Sequence, residues 1–368
     1  MNENIAIFGH SRLVTNGASG ENSNNQPVHA SSILGVHNGI ITNEQYLWEQ
    51  NNDLHKQLEL DTEVFLQLLG KQIQKSDLLV AFKQTFNKIE GVANLALLFE
   101  KLNVAVLATN NGSLYYSQST SKDSIIFASE KHILKETIRS CRVNDLHAMN
   151  NIQHIKANSS VFIDLSSLHI ETLSFNESNN IIPELTQRKR NIFDRSINKL
   201  TTEKVSGVNK NDAIDFTSFY KVYEENKEKI SLLKRCTRCI LPETMPFITF
   251  DNSGVCNYCK SYKPHKVKGI EELKKLLPET KNDFDCLVTL SGGRDSSYGL
   301  HYIKKVLDVK PVTYTYDWGM ITDLARRNQM KMCGSLGVEH ILVSADLQKK
   351  RDNIRKNVSS WLKRPELG

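Results

Sequence analysis

One stretch near the C-terminal end of the sequence, LVTLSGGRDSSYGL at residues 287–300, constrains the fold more than any other. An apolar run of strand length (residues 284–290) leads into two adjacent glycines, and a helical pattern (residues 296–307) follows. Strands that alternate with helices of this length are typical of a parallel sheet covered by helices. The sequence therefore predicts a Rossmann-like α/β region over residues 266–368. The alternation continues with a strand, a helix and a strand at residues 311–316, 323–337 and 339–345.

The glycine-rich turn suits an anionic ligand. Its glycines allow the backbone to approach a ligand closely, and free N–H groups at a helix N-terminus attract phosphate. Asp295 fits such a site if Mg²⁺ lies between its carboxylate and the phosphates. The alternative is an ordinary turn capped by a serine or an aspartate. No Walker lysine is present, which does not favour γ-phosphate transfer.

The full string resembles the S-G-G-x-D-S loop of the ATP pyrophosphatase superfamily. This resemblance implies ATP and Mg²⁺ as ligands and adenylation of a substrate with release of pyrophosphate. Because ligands bind beyond the carboxyl ends of parallel strands, we expect the side chains that end the next strand, Tyr316, Asp317 and Trp318, to face adenine or the acceptor. Trp318 as a core residue is the alternative. The implied ATP-binding residues are Ser291, Gly292, Gly293, Arg294, Asp295 and Ser296.

Two C-x-x-C pairs lie directly before this region. Cys236 and Cys239 form the first pair, and Cys256 and Cys259 form the second. Four thiolates on two turns suit a tetrahedral Zn²⁺ with no open coordination position, which is typical of a structural site. We predict a zinc module over residues 235–265.

The N-terminal 175 residues show an α+β pattern in which short apolar runs alternate with helical segments. A polar linker with an amphipathic connector helix follows at residues 176–234. The predicted strands lie at residues 33–36, 95–99, 104–108, 124–127 and 160–163, and the predicted helices at residues 61–73 and 78–89.

Three short motifs in this region suggest a binding site. Arg12 offers a planar fork for a carboxylate. The Asn38 amide and the Gly39 N–H are donors of the kind that form an oxyanion hole. Asp61 begins a helix and can either cap it or hold an ammonium group. Individually these residues also fit a surface ion pair, a hairpin turn and a helix cap, but together they suit an α-amino acid with a reacting side-chain amide.

With Gln26–Pro27 and FASEKHIL at residues 127–134, the three motifs resemble the class II glutamine amidotransferase domain over about residues 5–165. The resemblance implies an Ntn-hydrolase-type αββα fold and L-glutamine as substrate. The nucleophile of that family is a cysteine directly after the initiator methionine, whereas Asn2 stands here and the first cysteine is Cys141. A degenerate glutaminase half is one explanation. We expect instead a fragment that lacks both ends. In the family roughly fifty residues precede the motif that contains Arg12, and the α/β region has only about three strand–helix units in all, starting from the strand at residues 284–290.

A glutaminase domain followed by this loop is the layout of asparagine synthetase. The cysteine module and the segments that follow it, residues 235–368, instead resemble the N-acetyl sugar amidotransferases of bacterial surface-polysaccharide biosynthesis. The implied acceptor is a nucleotide-linked N-acetyl sugar or a uronic acid, which is adenylated by ATP and then attacked by ammonia from glutamine. Asparagine synthetase, a tRNA-thiolating enzyme and a non-catalytic scaffold are the alternatives.

Net charge and hydropathy limit the classes of partner that we expect for this protein. The net charge of +6 over 368 residues comes without a long Lys/Arg block, so we expect no nucleic-acid partner. The longest apolar segment, residues 91–112, is interrupted by Glu100 and Lys101, which predicts two strands around a turn rather than a membrane span. No secretory signal is visible in the printed sequence, and we expect a cytoplasmic protein.

Overall fold

The computed structural model describes residues 5–11, 24–140, 151–176, 217–277 and 283–363. The chain divides into two compact units. One contains Met1–Thr201 and Pro278–Lys350, and the other contains Thr202–Leu277 and Arg351–Gly368. The first unit thus includes both the N-terminal region and the glycine-turn region. Their division into separate glutaminase and nucleotide-binding domains stays a prediction.

The N-terminal region contains two antiparallel sheets. Six of its strands form one sheet in the order β1-β2-β3-β4-β8-β9, and the other three form a small sheet in the order β6-β5-β7. The strands are β1 (Val28–Ala30), β2 (Ile33–Ile41), β3 (Gly91–Phe99), β4 (Val104–Thr109), β5 (Tyr115–Gln118), β6 (Ile125–Ala128), β7 (Gln153–His154), β8 (Ser159–Asp164) and β9 (Ile170–Ser174).

The central strands are buried on both faces, which explains why their sequences are apolar without alternation. Alternate residues of β3, such as Leu95 and Leu97, pack in a core with helices α2 (Asp61–Ile73) and α3 (Leu78–Phe86). Ala96, on the other face of β3, packs in a second core with residues of the small sheet. The predicted strands and helices of this region are confirmed.

A layer of helices (α2 and α3), two sheets and a further helix form successive layers in this region. Beyond the small sheet, α4 (Lys131–Ser140) packs Leu134 and Ile138 against Tyr115. The short helix α1 (Glu44–Glu49) follows β2. This order matches the layers of the expected αββα arrangement, while membership of the Ntn-hydrolase type stays a proposal.

The glycine-turn region forms a three-stranded parallel sheet, as predicted. Its strands are β10 (Cys286–Thr289), β11 (Pro311–Asp317) and β12 (His340–Ser344), paired in chain order. The connecting helices are α8 (Arg294–His301), which continues as a π-helical turn at Tyr302–Val306, and α9 (Asp323–Leu336); α10 (Leu347–Lys363) follows β12. An ATP pyrophosphatase-type fold stays a prediction.

Helix α9 packs against the six-stranded sheet. Met330 and Cys333 join Ile40 and Val92 in one hydrophobic cluster. Gly334 lies so close to Gly91 that a Cβ at Gly334 would overlap the Gly91 carbonyl oxygen, so this contact requires a glycine. The parallel and antiparallel sheets of the first unit therefore share a packed core.

Residues 202–277 of the second unit contain three described helices, and the first of them, α5 (Thr217–Ser231), lies where the connector helix was predicted. None of the described helices has the length and apolarity needed to cross a bilayer. The other two helices of residues 202–277 are α6 (Asn257–Ser261) and α7 (Ile270–Lys274), and most of α10 also belongs to this unit.

Candidate functional site

A cavity of about 200 Å³ lies in the first unit, between the six-stranded sheet and the parallel sheet. Asn38, Gly39 and Asp61 all line it, so the structure brings together three of the predicted site residues. Arg12 lies outside the described residues, although His10 and Ser11 just before it line the cavity. The parallel-sheet region contributes Arg326, Gln329, Met330, His340, Leu342 and Ser344 to the lining.

Asn38 and Gly39 lie inside strand β2 and not in a hairpin turn. They pair with Asn94 and Ala93 of β3. Gly39 has a φ of +149°, and a Cβ there would overlap the carbonyl oxygen of Val92, so the position requires glycine. The Asn94 Nδ2 atom donates to the Asn38 carbonyl oxygen at 2.9 Å, which leaves the exposed Asn38 side chain to face the cavity.

The carboxylate of Asp61 is buried at the first residue of α2. The helix N-cap is Leu60 and makes no side-chain capping bond, so the cap interpretation of Asp61 is wrong. Instead, Asp61 Oδ2 accepts the backbone N–H of Ile41 at 2.7 Å and so anchors β2 next to the cavity. A buried carboxylate at this place provides negative charge for a cationic group of a ligand.

His37 is a site residue that the sequence analysis did not single out. Its buried ring lies between two partners, with Nδ1 3.2 Å from Thr62 Oγ1 and Nε2 3.1 Å from the Val92 carbonyl oxygen. Burial alone lowers the pKa of His37, but the Asp61 carboxylate 3.7 Å away outweighs it and raises the pKa above its usual value. The sequence signal that could have identified His37 as a site residue is its position directly before Asn38 and Gly39.

The glycine turn is formed by hydrogen bonds between its own serines. Ser291 Oγ lies 2.9 Å from Ser296 Oγ, and Ser296 Oγ also donates to the Gly293 carbonyl oxygen. Gly292 has a φ of +81°, and a Cβ there would lie 2.5 Å from the Ala325 carbonyl oxygen. Gly293 is the residue before α8 and has only Ser291 Oγ, at 3.5 Å, near its would-be Cβ. Gly292 is thus needed for packing, whereas the face at Gly293 is open to a ligand.

The two other predicted members of the turn, Arg294 and Asp295, lie exposed in the first turn of α8. Both are therefore accessible to phosphate oxygens and to a magnesium ion. An exposed carboxylate beside free helix N–H groups has a donor chemistry that fits Mg²⁺ shared with phosphates.

The predicted adenine or acceptor side is partly occupied by a structural ion pair. The Asp317 carboxylate is buried, receives the Arg326 guanidinium at 2.6 Å and accepts the Gly319 N–H at 2.8 Å. Tyr316 and Trp318 are 48% and 40% exposed, so Trp318 is not a core residue. These two rings are the part of the segment that stays open to a ligand.

The cavity also holds buried polar atoms from α9, which the sequence analysis did not identify. Arg326 Nε and Gln329 Oε1 are buried and make no hydrogen bond in the described structure. Gln329 Nε2 donates to the Leu290 carbonyl oxygen, directly before the glycine turn. Helix α9 thus connects the cavity to the glycine turn.

The four cysteines of the second unit form a compact thiol cluster, with all four Sγ atoms within 4.8 Å of one another. Cys236 and Cys259 are separated by 4.0 Å, and Cys239 and Cys256 by 3.6 Å. Four thiolates around a tetrahedral Zn²⁺ lie about 3.8 Å apart. Desolvation opposes the thiolate of Cys236, yet three backbone N–H donors lower its pKa to about 6. The cluster fits a structural metal ion such as zinc.

A comparison with known protein families matches the part of the chain that contains Asn38, Gly39 and Asp61. Residues 10–136 match a family described as a glutamine amidotransferase domain. Residues 10–136 are therefore similar to a glutamine amidotransferase domain.

The curated relatives are glutamine–fructose-6-phosphate aminotransferases (isomerizing) of two bacteria. The protein of Pseudomonas syringae pv. tomato is 34% identical over 107 residues, and that of Pseudomonas aeruginosa is 31% identical over 107 residues. Each match spans 28% of this chain and 18% of the relative. The likeness is therefore to one part of those enzymes.

Solved structures with a likeness to this chain include a glutamine phosphoribosylpyrophosphate amidotransferase from B. subtilis. It is 21% identical with a TM-score of 0.34, and the match covers 47% of this chain and 35% of that one. An allosteric regulatory enzyme of purine biosynthesis, also 21% identical, has a TM-score of 0.33 over 43% of this chain and 32% of that one. Scores at this level have no bearing on function.

Proposed function

We propose that this protein is a glutamine-dependent, ATP-using amidotransferase that adenylates an acceptor sugar and transfers ammonia to it in bacterial surface-polysaccharide biosynthesis. One observation supports this most. Asn38, Gly39 and Asp61 share a single cavity with Arg326 and Gln329 of α9 and with Ser344 of β12. Such an arrangement suits an enzyme that releases ammonia at one wall and consumes it at the other.

In the glutaminase half, Arg12 holds the α-carboxylate of glutamine and Asp61 holds its ammonium group. The Asn38 amide and the Gly39 N–H then face the side-chain carbonyl oxygen, where negative charge develops during attack. The attacking thiol has no assigned residue, since the first cysteine of the printed sequence, Cys141, lies outside the described residues.

In the synthetase half, residues 291–296 hold the phosphates of ATP. Asp295 would hold a Mg²⁺ ion, which would neutralise part of the phosphate charge. The acceptor oxygen attacks the α-phosphorus, a P–O bond breaks, and pyrophosphate leaves. Ammonia then forms the new C–N bond as the C–O bond to AMP breaks. Adenylation is needed because neither an acetamido nor a carboxyl oxygen is a good leaving group.

The thiol cluster acts as a structural zinc module in this proposal, because four thiolates leave no open coordination position. A nucleotide-linked N-acetyl sugar or a uronic acid is the proposed acceptor. This choice rests on the resemblance of residues 235–368, whereas aspartate is the acceptor of the asparagine synthetase alternative.

The experiment measures pyrophosphate released from ATP and Mg²⁺ with ammonium chloride as the nitrogen source, so that no attacking thiol is required. UDP-N-acetylglucosamine, UDP-glucuronic acid and L-aspartate are supplied separately as acceptors. We expect pyrophosphate release with a sugar acceptor and none with L-aspartate. Release with L-aspartate alone favours asparagine synthetase, and no release with any acceptor contradicts the proposal.

A pair of glycine variants tests the ATP site directly. Gly293→Val places a side chain on the open face of the turn and is expected to weaken Mg·ATP binding at least 10-fold in calorimetric titration. Gly299→Val, in the same helix with nothing near its would-be Cβ, is the matched control. Equal affinities for the two variants contradict the assignment of residues 291–296 to phosphate binding.

A further inference from the structure

Strand β1 pairs with only the first residues of β2 and does not reach the part of β2 that lines the cavity. On one side it pairs with β3 along its whole length, from Ile33 to Ile41. On the other side β1 covers only its beginning, and the last pair of that ladder joins Val28 to Gly35. The Asn38–Gly39 part of β2 therefore lies beyond the end of the β1 ladder.

Pro27 explains why the ladder stops there. Proline has no N–H group to donate and ends strand pairing where a donor is required. In the register of β1 and β2, a continuation by two residues places Gln26 opposite His37. The backbone cannot continue the ladder past Pro27, but the next side chain takes its place.

Gln26 replaces the missing strand with its side-chain amide. Its Oε1 accepts the backbone N–H of His37 at 2.5 Å, and its Nε2 donates to the His37 carbonyl oxygen at 2.8 Å. These are the two bonds that a paired strand residue makes with its partner. Both polar atoms of the side chain are thus engaged with the peptide groups on either side of His37, the residue before Asn38.

The segment that carries Gln26 is itself fixed at both sides. Asn24 is buried and donates from Nδ2 to Glu59 at 2.8 Å. Val28 is buried in the core beneath α2. A side chain held between two such points keeps its amide in one place, which is what preorganised oxyanion donors require.

We infer that Gln26 is a positioning residue of the oxyanion hole: its side-chain amide replaces the strand that Pro27 interrupts and so fixes the peptide that carries Asn38 and Gly39. The inference rests on the proposed glutamine site. Gln26 lines the cavity, but both polar atoms of its side chain are bonded to the peptide groups on either side of His37, so it acts through β2.

The test compares two ligands in two variants of the full chain. L-Glutamine carries the side-chain carbonyl that the oxyanion donors meet, and L-2-aminopentanoic acid has the same α-amino acid group without that carbonyl. Gln26→Met keeps the length of the side chain and removes both hydrogen bonds. Gln45→Met is the matched control, because Gln45 is exposed on α1 and bonds only Glu49.

We expect Gln26→Met to weaken L-glutamine binding about 10-fold, leave L-2-aminopentanoic acid binding unchanged, and speed hydrogen exchange at the His37 amide. The control variant should match the wild type in all three measurements. Equal weakening of both ligands indicates a merely structural role and overturns the inference, and so does unchanged exchange at His37. A wild-type chain that binds neither ligand instead overturns the proposed glutamine site, and the inference with it.

Discussion

At the scale of single residues, Gly39 is the most constrained position of the candidate site. Its φ is +149°, and a Cβ there would overlap the Val92 carbonyl oxygen and lie 2.9 Å from His37 Nε2. We expect Gly39→Ala to lower the free energy of unfolding by about 2–3 kcal/mol, because both the backbone strain and the overlap act together. Urea unfolding followed by circular dichroism measures this change.

Gly299→Ala is the matched control for that substitution. Gly299 lies inside α8 with nothing near its would-be Cβ, and alanine is favoured over glycine in a helix by about 1 kcal/mol. The control should therefore be neutral or stabilising. A loss of stability in Gly39→Ala no larger than that of the control shows that β2 can shift away from Val92.

The residues of the site could be predicted from sequence only in part. Asn38, Gly39 and Asp61 belong to motifs whose chemistry is visible in their residue types, and the structure brings all three to one cavity. His37 directly precedes Asn38, and Gln26 belongs to the separate Gln26–Pro27 motif. Gln26 bonds the backbone of His37, and the His37 ring contacts the Val92 carbonyl oxygen of β3. No pattern in the sequence shows which peptide group a side chain will contact.

At the scale of elements, the cysteine module gives the sharpest prediction. Cys239→Ser removes one of four ligands, and we expect bound zinc, measured by mass spectrometry of the intact protein, to fall from about one ion per chain to less than 0.1. Hydrogen exchange should accelerate across residues 235–262, because a structural zinc site contributes directly to folding.

Cys286→Ser is the control for the module, since Cys286 lies in β10 outside the cluster. It should keep its zinc and the exchange rates of the wild type. Zinc content that is equal in Cys239→Ser and the wild type contradicts a four-thiolate site.

The elements themselves were largely predictable, because their lengths and periods are local properties. The strands β3 and β4 and the helix α9 all lie where the apolar pattern places them. The packing of α9 on the six-stranded sheet was not predicted. An apolar helix face shows that a partner exists, but Gly334 and Gly91, which set the approach, are separated by more than 240 residues.

At the scale of the whole first unit, a buried carboxyl group joins two of its three sheets, the small antiparallel sheet and the parallel sheet. Glu339, just before β12, accepts the Tyr115 O–H from β5 at 2.5 Å. Burial raises the pKa of Glu339 to about 7, with the nearby Glu130 adding to the shift and the Tyr115 hydrogen bond and Lys131 opposing it. Burial lowers the pKa of the neighbouring His154, which therefore stays neutral near pH 7 and gives Glu339 no positive partner.

This group makes the stability of the first unit depend on pH in a definite direction. The raised pKa means that the folded protein holds a proton that the unfolded chain has released, so Glu339 favours folding below its unfolded pKa of about 4.5. That contribution declines as the pH rises towards 7, and above it the folded state contains a buried charge. Ionisation there costs on the order of a few kcal/mol.

Glu339→Gln removes the titration and keeps an oxygen that accepts the Tyr115 O–H. We expect the variant to be more stable than the wild type at pH 8.5, with an advantage that shrinks as the pH falls to 6 and below. Thermal unfolding of both proteins at matched pH measures the difference, in which the contributions of His37, His154 and His340 cancel to first order. A difference that is constant from pH 6 to 8.5 shows that Glu339 does not titrate in this range, and that the carboxyl group between the two sheets is stabilised by neighbours as an ordinary ionised glutamate.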